Sequence, residues 1–166
     1  MPQRLHHNEI LDRLINLIDT AQAPAPPTGL GLKTIAKGDL SFYAGKDGLT
    51  AELPAVFIKP VPATELSFRA VGKEYEVRYQ FRLVYVRSFA TTDKVEEQQL
   101  ADMQKLVETL IDNITLNDLA LSNAQLTHSL PASIEWEPIE DEFVAGFNLW
   151  FRASAVAFTV VVLTRR

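Results

Sequence analysis

The chain has 166 residues, and 16 basic side chains against 21 acidic ones leave a formal charge of −5. Apolar residues make up 47% and charged ones 22%, a globular balance too apolar for a disordered chain. The absence of cysteine excludes a disulfide framework, thiolate zinc sites and a cysteine nucleophile. The acidic balance argues against a general nucleic-acid binder, whose affinity comes from lysine and arginine on phosphates. A single domain over residues 1–166 is expected from the length. Arg4, His6, His7, Asn8 and Glu9 at the N-terminus do not read as a targeting signal. The apolar run Ala153 to Leu163 is too short to span a bilayer and is rich in valine, so it reads as a strand. No membrane contact is expected.

In chain order, the first predicted element is a helix over about residues 5–20. Leu11, Leu14, Ile15 and Ile18 recur at three- and four-residue spacing, opposite Asp12, Arg13 and Asn16. Residues 23–29, Ala-Pro-Ala-Pro-Pro-Thr-Gly, predict a stiff, extended connector. The sheet and a second helix are expected over 30–164. Leu32 to Ile35 reads as a short strand and Gly45-Lys46-Asp47-Gly48 as a turn. Pro54 to Val61 reads as a strand that Pro60 and Pro62 keep from being a central ladder at that end. Leu66 to Val71 and Glu74 to Arg87 flank a turn at Gly72-Lys73. In the second of these, Tyr75, Val77, Tyr79, Phe81, Leu83 and Tyr85 alternate with charged and polar residues, which predicts one core face and one wet face.

A second helix is expected from Asp93, with Glu96 at capping-box spacing. Its apolar stripe is Val95, Met103, Leu106, Val107, Leu110, Ile111 and Ile114, with Glu96, Glu97, Asp102, Lys105, Glu108 and Asp112 distributed elsewhere. Leu116 to Leu130 reads as a loop, Ile134 to Glu137 as a short strand halted by Pro138, and Phe143 to Thr164 as one long or bent strand. The whole reads as an α+β domain: an antiparallel, twisted sheet with two main helices packed against it.

The wet faces of the two long strands turn apolar at one end. Val84 and Val86 do so in the first, and Val156, Phe158, Val160 and Val162 in the last. Such an end needs cover on both faces. Two helices, one per face, would supply it, and so would a neighbouring subunit. Val84 and Val86 are therefore candidate interface residues. Phe42, Tyr43, Lys46 and Asp47 are further candidates, on a hairpin arm that is equally an ordinary meander with its aromatics in the core.

Catalytic chemistry has little to stand on. Glu135, Glu137, Glu140, Asp141 and Glu142 form the densest acidic run, but it lacks the alternating oxygen ligands and glycine of a metal loop. Charge runs are usually solvated strand faces and turns. His6 and His7 are adjacent and His128 stands apart, so they read as surface residues and not as ligands. Gly29-Leu30-Gly31 lacks the third glycine of a dinucleotide fingerprint. No catalytic set, cofactor or metal is expected.

The order of elements carries more. It runs from an amphipathic helix through a proline-marked connector to the strand ending Pro54-Ala55-Val56-Phe57-Ile58-Lys59-Pro60. The alternating strand Tyr75 to Phe81 and an amphipathic helix follow, then Trp136-Glu137-Pro138 and a closing strand through Phe151-Arg152-Ala153. Over roughly Leu5 to Leu163 this layout resembles the tail terminator family of long-tailed bacteriophages, also called tail completion or head–tail joining proteins. The resemblance implies a structural virion protein of the tail or neck, assembled in the host cytoplasm. It implies a homo-oligomer, a hexameric ring that caps the tail tube protein, stops polymerisation and offers a surface to the head completion or connector protein. DNA would pass through the lumen without sequence-specific binding, and Glu135, Glu137, Glu140, Asp141 and Glu142 are the expected lumen acids. No active site comes with the resemblance.

Two other readings stay open. A small ligand-binding or hydrolytic α+β domain would line a pocket with Tyr79, Phe81, Tyr85 and Phe151 and use Glu135 or Glu137 as acid or base. Another ring component of a contractile or secretion tube apparatus would share the same layout.

Overall fold

The computed structural model describes residues 6–38, 44–45, 48–49, 53–68, 74–89, 95–113, 120–121, 124–144 and 149–165. Side chains are described over 6–38, 53–61, 76–88, 97–113 and 152–163. Among the described residues two helices, α1 (His7–Gln22) and α2 (Val95–Asp112), accompany eight strands. These are β1 (Thr34–Lys37), β2 (Ala44–Gly45), β3 (Gly48–Leu49), β4 (Ala55–Phe68), β5 (Glu74–Phe89), β6 (Ala120–Leu121), β7 (Ala124–Val144) and β8 (Leu149–Arg165). The main sheet is ordered β1-β4-β5-β8-β7-β6, and β2 pairs with β3 in a separate antiparallel two-stranded sheet. The fold is α+β, and its sheet is antiparallel except for the parallel pair β1–β4.

The alternation of β5 sets the main core. Its odd positions Val77, Tyr79, Phe81, Leu83 and Tyr85 join Val156, Phe158, Val160 and Val162 of β8 on one face. Phe81 lies directly opposite Phe158, and their rings stack with centroids 5.5 Å apart. Ile10, Leu14 and Ile18 of α1 and Met103, Leu106 and Leu110 of α2 close this same core. Both helices therefore cover one face, and the arrangement of one helix per face is corrected.

The other face carries its own apolar cluster, with no helix residue in it among those described. Two rungs form it, Ala55–Val86–Ala153 and Phe57–Val84–Ala155, each running across β4, β5 and β8. All six residues are buried, and Ala36 and Leu53 pack against them.

Several boundaries differ from the sequence reading, each for a physical reason. The connector is not extended: Gly31 N–H donates to Pro24 O at 2.8 Å and Leu30 N–H to Gln22 O at 3.0 Å, so the segment curls back on the end of α1. β4 runs on through Pro60 and Pro62. The register slips there, and β1 pairs only Ala55 to Ile58, so the prolines fall at an irregularity where one side of β4 lacks a ladder partner among the described residues. β7 begins within the stretch read as a loop and continues past Pro138 to Val144. Between Val144 and Leu149 the chain reverses, because Val144 pairs with Leu149 and β7 and β8 are antiparallel neighbours. The long terminal strand expected over Phe143 to Thr164 is thus split between two antiparallel partners, β7 and β8.

Candidate functional site

A cleft of about 430 Å³ opens where the connector, α2 and the end of β5 converge. Pro26, Gly29 and Leu30 form one wall, and Pro54, at the entry to β4, adjoins it. Tyr85, Arg87 and Ser88 of β5 and Gln98, Asp102 and Lys105 of α2 supply the polar groups. Gly29 suits its place because a Cβ there would stand 2.5 Å from Pro24 O.

The polar centre is Asp102. Its Oδ2 accepts from the Tyr85 hydroxyl at 2.7 Å and from Arg87 Nη1 at 2.6 Å. Tyr85 and Arg87 are two residues apart on β5 and share a face, while Asp102 sits one turn before Leu106, at the border of the buried stripe of α2. Burial, and then the adjacent Asp102 carboxylate, raise the Tyr85 pKa far above its ordinary value. The phenol is therefore a fixed proton donor at neutral pH, unsuited to act as a base or nucleophile. At the rim, Lys105 Nζ donates to Pro27 O at 3.3 Å, leaving two of its three protons for another acceptor or water.

Beside the cleft, Gln99 Nε2 donates to Ser154 Oγ at 3.1 Å, and further along the helices Gln22 Nε2 donates to Thr109 Oγ1 at 2.8 Å. His6 is buried and pairs through Nδ1 with Glu9, and its backbone N–H donates to the Tyr79 hydroxyl at 3.2 Å. His7 meets Tyr79 edge-on at 4.7 Å, and burial lowers its pKa. His6 is thus no surface residue. No group of histidine, aspartate and glutamate among the described residues is disposed to hold a metal ion. No helix is long and apolar enough to cross a membrane among the described residues.

The residues singled out in the sequence do not gather at this cleft. Val84 and Val86 are buried in the second cluster, on the face away from both helices. Tyr79 and Phe81 are buried in the main core, so of the three described aromatics expected to line a pocket only Tyr85 reaches the cleft. Phe42, Tyr43, Lys46 and Asp47 lie outside the described residues. Glu135, Glu137, Glu140, Asp141 and Glu142 lie on β7, where the backbone alone is described. Asp102, Arg87 and Lys105 were not distinguished from ordinary surface charge. The available signal was Arg87 two residues after Tyr85 on the core-facing side of a strand.

No family model matches the chain. No curated protein matches it either. Among solved structures, it is similar to a chain described as the virion of a native gene transfer agent particle. The two share 13% identity at a TM-score of 0.40, over 90% of this chain and 83% of that one.

Proposed function

We propose that the chain is a structural subunit of a phage-like virion, with a tail terminator's role. Copies form a hexameric ring that caps the tail tube, stops its growth and gives the head completion or connector protein a surface to join. The observation that carries a structural over a catalytic reading is the state of the cleft. Its phenol and guanidinium both hold one carboxylate oxygen, and the phenol's raised pKa keeps it protonated at neutral pH. Support for the specific role comes from layout: α1, the proline connector, β4, β5, α2 and the β7–β8 hairpin follow the order that resembles the terminator family. A net charge of −5 lets DNA pass a ring of such chains without the phosphate contacts that create affinity. The location is then the tail or neck of the virion.

Adding the purified chain to tube protein during polymerisation tests the role. Tubes of reduced, uniform length with extra density at one end are expected. Unchanged lengths and bare ends at saturating chain contradict it.

A further inference from the structure

The cleft and the acidic run of β7 stand at the same level of the sheet, on opposite sides of β8. On β5, Tyr85 to Ser88 pair with Ser154 to Phe151 of β8. On the far side, β8 pairs Ala155 with Glu135, Ala153 with Ile139 and Phe151 with Glu142. Residues 135–142 hold five carboxylates and no base. They also lie on an edge: β6 pairs only with Ala124 and Gln125, so among the described residues nothing pairs the outer side of β7 at this level. The cleft carries the opposite sign in Lys105, since Arg87 is already paired with Asp102.

We infer that the cleft around Lys105 is the docking site for residues 135–142 of a second copy of this chain. Two complementary patches at one height, on opposite sides of a central strand, define a heterologous contact, which repeats head to tail and closes into a ring when its rotation allows. The outer side of β7 has no ladder partner at this level among the described residues, and the charge difference sets the register of the contact and excludes the reverse pairing of like patches. The inference rests on the ring reading. It also assigns the acids of 135–142 to the contact between subunits and not to the lumen.

The test separates the two ideas. A fluorescent peptide of residues 132–144 is titrated with the full chain at low salt and followed by anisotropy. Saturable binding that weakens as salt rises is expected. Lys105→Glu should weaken it by about tenfold or more, with Lys105→Gln in between, each variant keeping the native circular dichroism. A peptide carrying Glu140→Lys and Asp141→Lys should prefer the Lys105→Glu chain. Absence of saturable binding, or equal binding to the Lys105→Glu chain, overturns the inference. Rings seen by microscopy in that case leave the capping role standing and place its contacts elsewhere.

Discussion

The Tyr85 hydroxyl reaches the Asp102 carboxylate at 2.7 Å, joining the end of β5 to the first half of α2. Arg87 holds the same oxygen, so one acidic side chain fixes how the helix sits over the strand. Tyr85→Phe removes one charge-assisted bond and should cost about 1.5 kcal/mol. Asp102→Ala takes the acceptor from both donors and should cost about 3 kcal/mol. Urea unfolding of the two variants checks the order, and a milder effect for Asp102→Ala contradicts it.

The same pair fixes a pH dependence. With its pKa raised in the folded state, Tyr85 contributes stability fully below its unfolded value near 10.0, and that contribution fades as pH rises towards the folded value. The stability gap between the native chain and Tyr85→Phe should therefore be constant at neutral pH and narrow above 10.0. Paired urea midpoints across this range measure it. A gap that widens in alkali has the wrong sign.

Gly29 marks the tightest point of the connector. A methyl group at this position meets Pro24 O at 2.5 Å, with Ala21 O also close, and neither is the free end of a side chain. Gly29→Ala should lower stability by about 2 kcal/mol, through displacement of the wall of the cleft. A thermal midpoint equal to that of the native chain would show that the connector has room to yield.

How much of this was legible in the sequence depends on where the periodicity survives. β5 is readable because its period-two pattern runs unbroken from Tyr75 to Tyr85, and the structure puts Val77 to Tyr85 of that face in the core. β7 is not, because its register against β8 slips four times: Ala124 to Val144 takes 20 steps where Thr164 to Leu149 takes 15. Three of these irregularities add a single residue and so flip the alternation, and no single period remains to be seen. Helix α2 shows a subtler failure. Ile111 was placed on the apolar stripe, yet it is 48% exposed while Leu110 is buried, since a run of apolar neighbours does not reveal which one faces the sheet. The cleft was invisible for another reason: Arg87 and Asp102 come from two elements whose meeting depends on packing, which no spacing along the chain encodes.

That contrast on α2 gives a direct check of the helix's orientation. Ile111→Lys should alter stability by no more than about 0.5 kcal/mol, as at other exposed positions. Leu110→Lys buries an unpaired charge and should abolish cooperative unfolding at moderate temperature. Equal effects for the two substitutions would mean that α2 is rotated from the position described.

Phe57 tests the second cluster. It is fully buried on the face without helices, flanked in register by Val84 and then Ala155. Phe57→Ala should cost about 3 kcal/mol or more, as truncation does in a packed core. A loss under about 1 kcal/mol would mean that this face contributes little to the isolated chain.

The central claim is that the chain works by assembling with copies of itself. Negative-stain imaging paired with light-scattering mass, over a concentration series with and without magnesium, tests it most directly. Closed rings of about six copies, dissociating as salt is raised, are the expected result. A chain that stays monomeric at every concentration and accepts a small ligand in the cleft beside Tyr85 would contradict it.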